Sequence, residues 1–257
     1  MNKKERFVAK ALMFAAPLIG GASLLLFVIF LSHGSLQIIN MGFPELTVLV
    51  WDGFLSIMFF VQHSSMVRRG FRARLSNIIP TYYSNAVFTL ASGIVLTGIV
   101  VFWQTSTTVL YEFQGFQRWI TWGVFFTGIV GVGWGIYALK FIDLLGHIPI
   151  RDHLNGKPLH TQKFSVYGPY LWVRHPLYFC VLLLMWACPE LTLDRLIFNF
   201  LWTAWIIIGT VLEERDLVSD FDDDYRQYQT RVPMLIPWKG RSNKLAFYND
   251  SITQKKV

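Results

Sequence analysis

Four successive apolar runs, each about as long as a bilayer is thick, constrain this chain more than anything else in it. They extend from Phe7 to Leu31, from about Leu46 to Val67, from about Ala86 to Trp103 and from Trp119 to Phe141. About 20 apolar residues in a helix cross a hydrocarbon core of about 30 Å. The first run is too long for a cleaved leader and more runs follow it, so it reads as a first span. Pro17, Gly20 and Gly21 lie inside it, which a membrane helix tolerates. Two shorter runs follow, Leu177 to Ala187 and Leu196 to Leu212, joined by Glu190-Leu191-Thr192-Leu193-Asp194. Eleven residues of helix rise only about 17 Å. The expected fold is an all-α integral membrane protein with about six transmembrane helices, or alternatively four plus a shallow helical hairpin. Only 15% of the residues are charged, against about a quarter in soluble domains. A water-soluble fold of this size is excluded.

Charge supplies the orientation. The formal net charge is +7, but the basic residues lie between the apolar runs and no nucleic-acid motif accompanies them. The expected partner is the lipid bilayer, not nucleic acid. All but two of the 23 Lys and Arg fall on one side of a six-span arrangement, the exceptions being Arg118 and Arg195. By the positive-inside rule both termini are cytoplasmic, as expected of a multi-pass protein of a bacterial inner membrane. Cys180 and Cys188 are eight residues apart in one apolar run, too far along a helix to bridge. Gly131 and Gly135, within the run that also holds Gly128 and Gly133, have the spacing that lets helices pack closely. The oligomeric state is left open.

The polar side chains that could build a site gather after the fourth run. The first cluster is Tyr167-Gly168-Pro169-Tyr170-Leu171-Trp172-Val173-Arg174-His175-Pro176-Leu177-Tyr178. Gly168-Pro169 marks a turn, and Pro176 suits the first position of a helix. Arg174 and His175 then sit at a helix mouth, either as a carboxylate site or as part of an interfacial aromatic belt with a snorkelling arginine. The second cluster is Glu213-Glu214-Arg215-Asp216, directly after the last apolar run: a solvated helix extension, or a ligand for a cation or amine. The third runs from Phe221 through Asp222-Asp223-Asp224, Tyr225 and Tyr228 to Val232-Pro233 and Ile236-Pro237-Trp238. It reads as a cytoplasmic amphipathic helix ending at Pro233. Consecutive aspartates point in different directions on a helix, which favours solvation over a metal site. His147, His153 and His160 match no zinc spacing, so no metal site is expected. His63, in Gln62-His63-Ser64-Ser65 at the end of the second run, is the histidine placed to face protein or a polar cavity.

Four of these elements, in this order, resemble the membrane methyltransferases that include isoprenylcysteine carboxyl methyltransferases and phospholipid methyltransferases. They are Arg174-His175-Pro176-x-Tyr178, Glu213-Glu214, Phe221-x-x-x-Tyr225-x-x-Tyr228 and Val232-Pro233-x-x-Ile236-Pro237. Within that group the chain is most similar to bacterial methanethiol S-methyltransferases, from about Gly53 to Trp238. It departs from them at Tyr82-Tyr83-Ser84, where the family has Glu-Arg-Ser, in Phe141–Pro149, and at Phe179, where a small residue is usual. Those first two regions bear on the acceptor. The resemblance implies one domain over residues 1–257: a four-helix membrane part (1–141), a cofactor-binding part with the last hairpin and tail helix (142–238), and a polar tail (239–257).

The resemblance also implies a methyl donor, S-adenosylmethionine, and a small or lipophilic acceptor such as methanethiol, which would yield dimethyl sulfide. The implied donor site comprises Tyr167, Gly168, Tyr170, Arg174, His175, Pro176, Tyr178, Glu213, Glu214 and Tyr225. Arg174 would take the donor's carboxylate through its planar fork, and Glu213 or Glu214 its amine or ribose hydroxyls. His63 or Glu213 would accept the thiol's proton. The alternatives are carboxyl methylation of a prenylcysteine, methylation of a lipid amine, and a non-catalytic transporter or assembly factor on the same scaffold. A transporter places its charges near mid-bilayer, whereas these polar residues collect at one face.

Overall fold

The computed structural model describes residues 3–139, 143, 145–157 and 164–242; His160 and the tail beyond Ser242 lie outside them. Among the described residues eight α-helices follow in chain order: α1 (Lys3–His33), α2 (Glu45–Val67), α3 (Arg69–Leu75), α4 (Ser84–Phe102), α5 (Gly115–Ala138), α6 (Ile148–Leu154), α7 (Pro176–Trp186) and α8 (Leu193–Arg231). Five of them, α1, α2, α4, α5 and α8, are long and apolar enough to cross a membrane. The protein is an all-α, multi-pass integral membrane protein. The expected sixth crossing falls on α7, which has 11 residues and cannot span a bilayer by its own length. Pro176 starts it late, and the residues after it form a strand. That strand, β2 (Glu190–Thr192), pairs antiparallel with β1 (Val109–Glu112). The pair does not follow from the apolar pattern, because neither segment alternates strongly enough to announce it.

The described residues fall into two compact units, each drawn from three stretches of chain. One comprises Met1–Phe113, Ile142–Thr161 and Cys188–Trp202; the other comprises Gln114–Phe141, Gln162–Ala187 and Thr203–Val257. Helix α8 contributes its first turns to one and the remainder to the other.

In the first unit α1 packs along α4. Ala9, Ala16, Gly20, Ser23 and Phe27 are buried on α1, and Ala86, Thr89, Gly93 and Leu96 on α4. Small residues on both sides let the backbones approach in a medium that gives no hydrophobic drive between helices. Aromatic rings fill the remaining space: Trp202 lies against Phe27 at 5.0 Å and stacks on Phe59 at 5.2 Å, and Phe198 meets Phe30 and Trp103 at 5.4 Å each.

Three carboxylates grip the loop that leaves α4. Asp52 accepts the Gln104 N–H at 3.0 Å. Asp194 accepts the Ser106 N–H and the Trp103 indole N–H, both at 3.0 Å. Glu45 accepts the Thr107 N–H at 3.0 Å and the hydroxyls of Ser106 and Thr107. Each bond satisfies a donor that hydrocarbon would leave without a partner. Beside Asp194, the Arg195 guanidinium donates to the carbonyls of Phe30 and Leu31 at the end of α1, where a cation also suits the helix dipole.

In the second unit α5 packs on α7 through the glycines picked out by their spacing. A Cβ at Gly131 would collide with Cys180 Sγ, and one at Gly128 or Gly135 would lie 2.8 or 2.6 Å from the side chain of Leu184 or Leu177. A 3-10 turn, Gly168–Leu171, docks on the end of α5. Gly168 takes φ +57°, and its bare Cα lies against Trp134 and Ala138. The long apolar run of α8 ends at Leu212. The helix continues to Asp222, which has φ 37° and ψ −116°, a conformation L-residues other than glycine rarely adopt, and the chain turns sharply there.

Candidate functional site

The site grows from the place where α7 begins. His175 is the residue before the helix and Pro176 its first residue, so the helix starts without a wasted N–H. The first helical bond runs from the Phe179 N–H to the His175 carbonyl. The N–H groups of Leu177 and Tyr178 therefore precede the ladder and point out of its mouth. The strand-like approach to α7 is pinned from the far end of the chain: Arg174 N–H donates to the Pro233 carbonyl at 2.9 Å, and His175 N–H to that of Met234 at 3.1 Å.

Arg174 and Glu214 form the strut of the site. Arg174 Nε and Nη2 donate to the two oxygens of Glu214 at 2.5 and 2.9 Å. Its Nη1 donates to the carbonyls of Gln229 and Val232. Glu214 also meets His175 Nε2 at 3.1 Å, Gln229 Nε2 at 2.9 Å and the Tyr225 hydroxyl at 3.4 Å. Bidentate pairing of this kind is strong and orientationally specific. Burial alone would raise the carboxyl's pKa, but the bonds from His175, Arg174 and Gln229 outweigh it and hold Glu214 at about 2.

The reach of Gln229 depends on the turn at Asp222. Glu214 and Gln229 are 15 residues apart, about 22 Å along a straight helix, yet their side chains touch. The segment after Asp222 folds back along α8, and Phe164, Tyr225, Tyr228 and Val232 form its own small core. Burial pushes the Tyr225 and Tyr228 phenols above their ordinary range. Tyr228 donates its hydroxyl to the Tyr170 carbonyl at 2.6 Å, which ties the 3-10 turn to the tail segment.

Glu213 has a different environment. It accepts the Tyr178 hydroxyl at 2.7 Å, and its side chain is 43% exposed against 11% for Glu214. The Tyr178 and His175 rings stack at 5.5 Å with 8° between their planes. On the neighbouring face of α8, Val211, Glu214, Arg215 and Val218 line an open cavity of about 360 Å³ with Gln229, within the usual size of ligand pockets.

The structure thus brings together Tyr170, Arg174, His175, Pro176, Tyr178, Glu213, Glu214 and Tyr225, with Gly168 in the turn beside them. Tyr167, 41% exposed, precedes that turn. One expected role needs revision. The fork that Arg174 was to offer a donor carboxylate is closed on Glu214, so the arginine builds the site from within. Two participants are absent from the sequence reading: Gln229, and the carbonyl of Val232. The motif from Phe221 to Pro233 encloses both, but nothing in its spacing says that it folds back. His63 lies in the other unit, on α2, with its ring 5.2 Å from Phe59 and 5.0 Å from Phe88. In the same unit Tyr82, at the first departure from the family pattern, stacks on His153 at 3.9 Å.

No family model matches the chain, and no solved structure does. Curated proteins do. The chain is 35% identical to a methanethiol S-methyltransferase of Pseudomonas deceptionensis over 74% of its own length and 72% of that protein's. It is 33% identical to methanethiol S-methyltransferase 1 of Bradyrhizobium diazoefficiens over 72% of its length, spanning 65% of that relative, a little under two thirds. At lower identity, 25% over 67% of the chain, it is similar to Nurim of Mus musculus. Identity at this level and extent, with the motifs assembled around one carboxylate pair, places the chain in the methanethiol S-methyltransferase family.

Proposed function

We propose that the protein transfers a methyl group from S-adenosylmethionine to a small thiol, with methanethiol as acceptor and dimethyl sulfide as product. The observation that carries this is the Arg174–Glu214 strut, which sets His175, Tyr178 and Glu213 side by side at the mouth of α7. The donor's chemistry fits these residues. It bears a sulfonium, an amine and a carboxylate, one positive charge in sum. Glu213 and Glu214 against Arg174 leave the site one negative charge in sum. The sulfonium faces the Tyr178 ring, as cations face aromatic rings. The donor's carboxylate goes to the free N–H groups at the start of α7, because the guanidinium is engaged. Tyr170, Tyr167 and Tyr225 border the adenosyl part.

The donor supplies an activated methyl; the protein supplies position. Displacement at carbon needs the nucleophile about 3 Å from the methyl and in line with the bond that breaks, and holding it there is the main catalytic resource. The stretch between α5 and α8 leads from the end of α5 to β2, which pairs with β1 just ahead of α5, so it counts as a sixth passage; with the positive-inside pattern, this puts both termini and the site on the cytoplasmic side of a bacterial inner membrane. The polar donor arrives from the cytoplasm and the apolar thiol from the bilayer, which gives a reason for a thiol methyltransferase to be embedded in lipid.

Titration calorimetry of the purified protein with S-adenosylmethionine tests the donor, and headspace analysis for dimethyl sulfide from cells fed methanethiol tests the acceptor. Donor binding with dimethyl sulfide formation is the expected result. Donor binding without it moves the acceptor to another lipophilic thiol or to a prenylcysteine carboxylate, and no binding at millimolar donor ends the reading.

A further inference from the structure

Two adjacent glutamates of one helix meet such different surroundings that they cannot do the same work. Glu214 is enclosed, and both of its oxygens are taken by Arg174, His175, Gln229 and Tyr225. Glu213 is held by one oxygen only. Its Oε2 accepts the Tyr178 hydroxyl and lies 3.9 Å from His175 Nδ1. Its Oε1 accepts no hydrogen bond from the described residues, and no Lys or Arg among them pairs with it. The groups around it are Tyr178, His175, and the phenols of Tyr170 and Tyr225, which feel its charge. The other candidates in the cluster are committed: His175 is buried with Nε2 on Glu214, and Tyr178 already donates its proton.

We infer that Glu213 is the proton acceptor for the thiol, with Tyr178 holding one carboxylate oxygen so that the other meets the S–H group. This rests on the methyl-transfer reading above. A thiol becomes an effective nucleophile when it loses its proton. In the step, the acceptor's S–H bond breaks, the proton passes to Glu213 Oε1 and the electron pair stays on sulfur. That sulfur bonds to the methyl carbon of the sulfonium donor. The donor's own carbon–sulfur bond breaks, its electron pair remains on the donor sulfur, and a neutral thioether leaves. Glu213 then returns the proton to water. Negative charge moves from the carboxylate to the acceptor sulfur, next to the positive sulfonium, and their attraction is strong where water is scarce.

The test compares the wild type with Glu213→Gln in lipid nanodiscs, using methanethiol and an aromatic thiol already largely ionised at pH 7. Donor affinity from calorimetry is expected to stay within about tenfold of the wild type, while the methanethiol rate falls about 100- to 10,000-fold. The rate with the ionised thiol falls by less than about tenfold, and the variant's methanethiol rate climbs with pH as the free thiolate does. Glu213→Asp recovers part of the rate. Equal losses with both thiols, or loss of donor binding in Glu213→Gln, overturn the inference and make Glu213 a donor ligand. A wild type that binds no donor removes the methyl-transfer reading itself, and the inference with it.

Discussion

The two units of the molecule use their hydrogen-bonded carboxylates differently. In the first, Glu45, Asp52 and Asp194 bind main-chain N–H groups of a single loop, residues 104–107. Main-chain donors come with any residue type, and the Trp103 indole and the Ser106 and Thr107 hydroxyls that Asp194 and Glu45 also accept lie on that same stretch or next to it, so those bonds close a fold. In the second, Glu214 binds the side chains of Arg174, His175, Gln229 and Tyr225. Such bonds exist only with those residue types, and Glu213 beside them keeps the more exposed carboxylate. The first set fastens one loop; the second draws side chains from separate segments onto one carboxylate.

Removing the strut gives the largest expected effect. Glu214→Ala leaves the Arg174 charge buried without its partner, at about 3–5 kcal/mol. Donor binding by calorimetry should disappear while the protein still fractionates with membranes. Retained affinity would make the second unit's carboxylate as architectural as the first's. Next comes Asp194→Ala, which strands the Trp103 indole and the Ser106 N–H. A loss of about 2–3 kcal/mol in thermal or denaturant unfolding is expected, with donor affinity unchanged; a change in affinity would blur the contrast. Acid offers a finer probe. Glu214 is held at about 2, below its ordinary 4.5. Its contribution to stability is complete above about pH 4.5 and fades as the pH falls through about 2. Tryptophan and tyrosine fluorescence of the second unit should therefore stay constant from neutral pH to about 4.5, and an earlier transition would mean that the strut is looser than its geometry. The smallest effect is a gain. Asp222→Gly relieves a positive φ and should add about 1 kcal/mol in the same unfolding assay.

The sequence disclosed the spanning helices because length and apolarity are local properties. The run from Ala86 to Trp103 differs from α4 by two residues or fewer at either end. The spacing of Gly131 and Gly135 marked α5 for close helix packing, though not α7 as the partner. Motif order also named most of the side chains that gather around Glu214. What it could not carry was partnership. Arg174 is recognisable as a cation at a helix mouth, but whether its fork meets a ligand or Glu214 depends on where residue 214 arrives in space. Gln229 was invisible for a related reason: an aspartate at position 222 gives no sign that the helix turns back there. The grip on residues 104–107 joins side chains from α2 and α8 to a loop between them in sequence, which no periodicity encodes.

The turn at Asp222 has a consequence for how the protein comes into being. Tyr225, Gln229, Val232, Pro233 and Met234, all needed to brace Arg174, His175 and Glu214, leave the ribosome after every span has been handed to the translocon. A nascent chain can thus have its spans inserted while Arg174, His175 and Glu214 still wait for the partners that brace them, which arrive only when the segment after Asp222 folds back.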